Sequence, residues 1–388
     1  MAKKGQAMEI VVNGLLDSED ESTSPNWEVS PPPNQSYDQV AEQLTQLHEL
    51  RIEPTPVSAR ARGVVTDGLG YDVVDLSSLV FGGKDDVFAH GFGALRLTPH
   101  AKREIRKRTG LETTKFFAHQ SLEHIQSAWN NYFTDVPASV HNEVRIIARR
   151  ALPNEDVGLS QGYLRGFVSP KYFDIPDIQI FELLGDAIGA DKNNLIFDAD
   201  MGNSVSSFSV LFPEARSLVH KFDDTAIGGL RWLNSEIGTR CVEFLTYLFR
   251  MVCGNGLVRT ENGEALFRRQ HRKIEVDDLR TLINGAWQNL GAQLDQVVTQ
   301  MRLLHDIVLP SAKEFILSGV LRQLTTTYLS ANRLQIIAEA WDKEPIDTAY
   351  GVLQAITRTA AAVKRNRELS LSLSDLADSY VSHTLLHD

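Results

Sequence analysis

The chain has two cysteines in 388 residues, and its formal charge is 39 basic against 50 acidic residues, or -11. It has no apolar run near the roughly 20 residues a membrane span needs. The most apolar window, 242–258, is interrupted by Glu243 and Arg250. A membrane-spanning protein is therefore not expected. The acidic balance excludes a uniformly basic coat for nucleic acid, although a local basic groove is compatible with it. Scarce cysteine fits a reducing compartment. Cys241 and Cys253 stand twelve residues apart; on one helix that is about 18 Å, too far for a bridge. The opening Met-Ala-Lys-Lys-Gly-Gln leads into a short apolar patch and then acids, which predicts neither a signal nor a transit peptide and a cytoplasmic location.

Several cofactor signatures are missing as well. There is no Cys-x-x-Cys, and His383 and His387 at the chain's end are read as surface residues, so zinc is not expected. Gly82-Gly83-Lys84-Asp85 lacks the spacing and hydroxyl of a phosphate loop. Gly91-Phe92-Gly93 fails the dinucleotide pattern. The sequence predicts no cofactor, and no internal repeat of solenoid length is present.

What is present divides into three stretches. Residues 1–56 hold ten acids against three basic residues and six of the prolines. Such a segment buries too little apolar surface to offset ordering entropy, which predicts a disordered acidic tail. It contains an apolar-acidic island at Ile10–Glu21 suited to docking a protein partner, and Val40, Leu44, Leu47 and Leu50 at helical spacing. Residues 57–275 mix strand and helix patterns. Strands are expected at 144–151, 162–168, 195–197 and 205–212, and helices at 101–108, 121–133 and 178–188. Residues 276–388 show helical spacing almost throughout. The expected class is α+β: a mixed central region, a helical C-terminal layer and a disordered N-terminal tail.

Within Gly228–Val258, apolar positions at Cys241, Phe244, Leu245, Leu248 and Phe249 predict a buried helix broken at Gly254-Asn255-Gly256. Four pieces then occur in order: Arg165-Gly-Phe-Val-Ser-Pro-Lys-Tyr172, Asn234-Ser-Glu-Ile-Gly238, Phe249-Arg-Met-Val-Cys-Gly-Asn-Gly256 and Thr348-Ala-Tyr-Gly-Val-Leu-Gln-Ala-Ile-Thr357. Together they resemble the phage/plasmid-like protein family catalogued as domain of unknown function nine hundred and thirty-two. The resemblance covers about residues 90–375. Gln354 stands where the family pattern has asparagine. The resemblance implies a mobile-element context and transfers no activity.

Basic residues nevertheless cluster. Arg145, Arg149, Arg150, Arg165 and Lys171 flank strand candidates beside Tyr163, Tyr172 and Phe173, and Arg259, Arg268, Arg269, Arg272 and Lys273 follow the glycine turn. Cations track a phosphate backbone and aromatic faces stack on unpaired bases, a mixture that suits single-stranded nucleic acid. The leading expectation is a non-enzymatic single-strand binder, active in recombination, replication or repair and assembling as a homo-oligomer. Its groove would combine Arg165, Lys171, Tyr172, Arg250, Asn255, Arg259, Arg268, Arg269, Arg272 and Lys273. Two alternatives stand beside it. A metal-dependent nuclease or phosphotransfer enzyme would converge Asp198, Asp200, Asp223, Asp224 and Glu236 on divalent cations. A host-interaction protein would act through the tail. Cys253 with His271 as its base is a further nucleophile candidate, against which stands an inert buried cysteine.

Overall fold

A computed structural model describes residues 33–52, 56–57, 86–89, 93–98, 100–101, 104, 144–150, 162–168, 172–202, 204–219, 224–250, 255–259, 266–272, 274–325, 329–363 and 367–387. The class is α+β. Seven α-helices and two sheets are present among the described residues.

The first sheet takes β1 (Arg51–Ile52), β2 (Pro56–Val57), β3 (Asp86–Ala89), β4 (Gly93–Leu97), β5 (Val144–Arg150) and β6 (Gly162–Val168). Its order is β1-β5-β6-β4-β3, with β2 also on β5, and only the β4–β6 pair is parallel. The second sheet is antiparallel throughout: β7 (Ile196–Met201), β8 (Ser206–Val219), β9 (Asp224–Asn234), β10 (Val242–Arg250) and β11 (Asn255–Arg259) run in the order β11-β10-β9-β8-β7, and β12 (Phe267–Arg269) pairs with β10.

The expected buried helix over Cys241–Phe249 is instead strand β10, and the physical reason lies in its position. It pairs with β9 on one side and with β11 and β12 on the other, so it is a central strand. Phe244 and Leu248 face the main core, whereas Leu245, Tyr247 and Phe249 join Leu211, Ile227 and Leu233 on the opposite face. All of its residues are buried. A strand covered on both faces shows no period-two alternation and reads like a buried helix.

Aromatic rings form a ladder across the core face. Phe208 stacks on Trp232 at 4.8 Å, Trp232 lies 6.0 Å from Phe244, and Phe244 lies 4.5 Å from Phe267. Cross-strand pairs of this kind fix register as well as burying area. Helix α3, which follows α1 (Tyr37–Glu49) and α2 (Asp177–Ile188), spans Val276–Asp306 and covers this face. Its buried residues Leu279, Ile283, Ala286, Leu290, Leu294, Val297, Met301 and Leu304 recur every three or four positions, one continuous stripe over about 38 Å of helix. A Cβ on Gly228 would lie 2.7 Å from Leu294 Cδ2, so the glycine allows helix and sheet to approach closely. Four more helices complete the layer: α4 (Ala312–Leu317), α5 (Ala331–Asp342), α6 (Ala349–Ala362) and α7 (Arg367–His387).

The expected disorder of residues 1–56 does not extend over its last third. Ser36 accepts from the Gln39 amide while the Gln39 side chain accepts from the Ser36 amide, a reciprocal cap that starts α1. Val40 and Leu44 enter the core, and Tyr37 stacks on Phe181 at 4.6 Å. The acid count describes this helix's solvent face, not its packed face. The docking island Ile10–Glu21 lies outside the described residues. So do the helix expected at 121–133 and most of that at 101–108, of which His100, Ala101 and Glu104 are helical. No described helix is long and apolar enough to cross a membrane.

Candidate functional site

Two buried polar clusters and one open cleft hold most of the charged chemistry. The first cluster joins the sheets. Glu236, in the turn after β9, is contacted by Arg165 Nη1 from β6 and by Arg51 Nη1 at 3.4 Å from β1. Arg51 Nη2 also donates to Asp174. The Asp177 amide donates to Glu236 Oε1 at 3.4 Å, and Asn234 Nδ2 donates to the Asp177 carboxylate at 2.6 Å. Burial by itself would raise Glu236, but Arg51 and Arg165 outweigh it and hold the carboxyl below its usual range. Asp177 is pushed up to about 7, first by burial and then by the neighbouring Glu236 charge.

The second cluster ties the sheet to the C-terminal helices. Arg250 at the end of β10 donates from Nη1 to Glu344 Oε2 at 2.8 Å and from Nη2 to Oε1 at 2.6 Å, a two-point pairing. It also donates to Gln354 Oε1 at 3.3 Å, and Arg358 Nη2 donates to Glu344 at 2.6 Å. The family-like pieces thus meet in pairs: Arg165 with Glu236, and Arg250 with Gln354.

The cleft, of about 710 Å³, opens where the turn Ile237–Cys241 faces Phe167, Val168 and Tyr172. The segment after β12 supplies Gln270, His271 and Arg272 to its wall. Tyr172 is fixed by donating its hydroxyl to the Ser235 carbonyl and by stacking on His271, with centroids 4.7 Å apart and planes 12° apart. His271 Nδ1 lies 3.1 Å from the Phe173 carbonyl. A carbonyl only accepts, so Nδ1 carries the proton. Burial lowers the His271 pKa and keeps the ring neutral. The Phe173 amide donates to the His271 carbonyl at 2.7 Å, which sets the exposed Phe173 ring beside this segment.

Four arginines belong to this region. Arg240 Nε contacts Glu243 at 3.2 Å and its Nη2 contacts Asp375 at 2.9 Å. Arg268 Nε contacts the same Glu243 at 3.0 Å while remaining 68% exposed. Arg269 donates to the Arg268 carbonyl at 3.3 Å, and Arg269 and Arg272 are both exposed. Cys241 is a free thiol on the cleft wall.

The structure gathers only part of the groove expected from the sequence. Arg268, Arg272 and Tyr172 line the cleft together, and Arg269, exposed on the same segment, is not among its lining residues. Arg165 and Arg250 do not line the cleft; each is buried against its own carboxylate, because each bridges two structural layers. Asn255 and Arg259 bound β11, opposite Arg250 and Thr246, and their side chains lie outside the described residues. Lys171, Lys273, Cys253 and Asp223 lie outside them entirely. Asp198 and Asp200 share one face of β7, paired with Ser209 and Ser207 on β8, while Glu236 is committed to the arginine cluster. Among the described residues no group of three or more His, Cys, Asp or Glu side chains could hold a metal ion.

Sequence reasoning passed over Arg240, Gln270 and Asp375 at the cleft and Arg51, Asp174 and Asp177 at the junction. Arg240 had one available signal, its place just after the Asn234–Gly238 piece. The junction carboxylates had none, since their partners lie far away in the chain. Comparison of the chain with known protein families, curated proteins and solved structures finds no match.

Proposed function

We propose that this chain binds single-stranded nucleic acid at the rim of the cleft, in the recombination, replication or repair of a mobile element. The observation that carries the reading is that exposed Arg268 and Arg272 line the cleft with Tyr172, that exposed Arg269 follows Arg268 in the same segment, and that the backbone of the exposed Phe173 is hydrogen-bonded to His271 next to Arg272. Guanidinium groups on one short segment match successive phosphates, and a neighbouring aromatic face offers a stacking platform worth about 1–3 kcal/mol per base. The overall charge of -11 confines nucleic-acid affinity to such a patch. The resemblance to a phage- and plasmid-borne family supplies the biological setting.

The test is binding of labelled single- and double-stranded oligonucleotides across salt, with and without magnesium, followed by a denaturing gel. Three phosphate contacts give a slope of log K against log salt of about -2 on single strands. Preferential single-strand binding with that slope and intact oligonucleotide is the expected result. Magnesium-dependent cleavage would replace the reading with the nuclease, and absence of binding at low salt would remove it.

A further inference from the structure

Arg240, Arg268 and Asp375 line the cleft, and the buried Glu243 behind them completes two cations against two anions that balance without any ligand. The two anions are not equivalent. Glu243 sits on strand β10 with its side chain 5% exposed, and it is shared between both arginines. Asp375 projects from helix α7 with its side chain 60% exposed and meets Arg240 Nη2 at 2.9 Å. Glu243 is held by the sheet; Asp375 is the solvent-facing partner of a half-buried pair, and Arg240, 19% exposed, keeps Glu243 when Asp375 turns away. A carboxylate and a phosphate present similar oxygens to a guanidinium. Among the described residues Glu104, His100 and Arg272 also line the cleft.

We propose that Arg240 is a further phosphate contact of the cleft and that Asp375 occupies it in the free protein, as a displaceable stand-in for a phosphate of the incoming strand. The inference rests on the nucleic-acid reading and adds to it a built-in competitor. The C-terminal helix thereby tunes the affinity of the cleft, and strand entry swaps one anion for another at Arg240 without leaving it uncompensated.

The experiment measures the dissociation constant of a fluorescein-labelled twenty-nucleotide poly-dT strand over a salt series for the full chain, D375N, R240Q and the double variant, with thermal melting to verify folding. D375N is expected to bind about two- to fivefold more tightly at low salt. Its salt slope should match the parent's, because Arg240 meets a phosphate in both complexes, whereas R240Q should make the slope shallower by about 0.7, the increment for one phosphate contact on a single strand. R240Q should weaken binding, and the gain from D375N should vanish in the R240Q background. A D375N variant indistinguishable from the parent, or a gain that persists without Arg240, overturns the proposal while leaving strand binding intact. Absence of binding by every variant overturns the nucleic-acid reading and this inference with it. Should R240Q fail to fold, the affinity of D375N, altered on the solvent side of a helix, still decides.

Discussion

Arg165 and Glu236, 71 residues apart in the chain, form a buried ion pair that ties strand β6 of the first sheet to the turn leaving β9 of the second. Arg51 reaches the same carboxylate from β1, so one glutamate anchors three segments. Glu236→Gln keeps the shape and removes the charge, leaving an excess of buried positive charge. The expected cost is about 3 kcal/mol or more, read as a lowered urea midpoint. A loss below about 1 kcal/mol would mean that the junction is not what holds the sheets together.

Asp177 in the same cluster makes stability depend on pH. Its carboxyl titrates near 4 when unfolded and is pushed up to about 7 in the folded chain. The folded state therefore binds more protons between these values. This contribution is greatest below about pH 4, declines by up to about 1.4 kcal/mol per unit as pH rises toward 7, and is constant above that. Glu236, held low, acts oppositely, and its stabilisation is lost only in more acidic solution. Asp177→Asn should flatten the slope of unfolding free energy between about pH 4.5 and 7. Chemical denaturation across that range is the measurement, and an unchanged slope would assign the titration elsewhere.

The second junction gives a prediction about a single methylene. Gln354 Oε1 meets Arg250 Nη1 at 3.3 Å inside the helical layer. Gln354→Asn shortens the side chain and withdraws that oxygen. The expected cost is about 0.5–1.5 kcal/mol by thermal or urea unfolding. Glu344→Gln, which removes the carboxylate shared by Arg250 and Arg358, should cost more.

Helix α6 begins with a Thr348 side chain that accepts from the Gly351 amide at 3.3 Å. A Cβ on Gly351 would stand 1.9 Å from the Ile346 carbonyl oxygen, so the backbone must move to admit any larger residue. Gly351→Ala is expected to destabilise by about 1–3 kcal/mol despite alanine's better helix propensity, and Thr348→Ala by about 1 kcal/mol. A stabilised Gly351→Ala variant would show that the approach of these two segments is not tight.

These particulars also show where the sequence was readable. The strands at 144–150 and 162–168, the helix from Asp177 to Ile188 and the helical layer after Val276 follow from periodicity and punctuation, which are local. Strand β10 was misread because burial on both faces erases the alternation that marks a strand. Helix α1 was hidden within an acidic composition, although its cap and its Val40–Leu44 stripe were visible. For the site, Arg268, Arg269 and Arg272 could be grouped from proximity in sequence, since a short segment keeps them together. Arg165 and Arg250 could not be separated from them, because only tertiary packing shows which carboxylate each one meets. Asp375 was out of reach for the same reason: it comes to Arg240 from 135 residues away.

The most direct test of the account is the affinity of the triple variant Arg268→Glu, Arg269→Glu and Arg272→Glu for single-stranded oligonucleotides of different sequence, measured by fluorescence anisotropy across salt. The Arg165–Glu236 and Arg250–Glu344 pairs are untouched, but Arg268→Glu sets a carboxylate against the buried Glu243, so a lowered melting point is expected and binding is read on protein shown to be folded at the assay temperature. The variant should lose at least about tenfold in affinity, uniformly across sequences, with a salt slope shallower by about 2. A correctly folded variant that binds every strand as tightly as the parent would contradict the account.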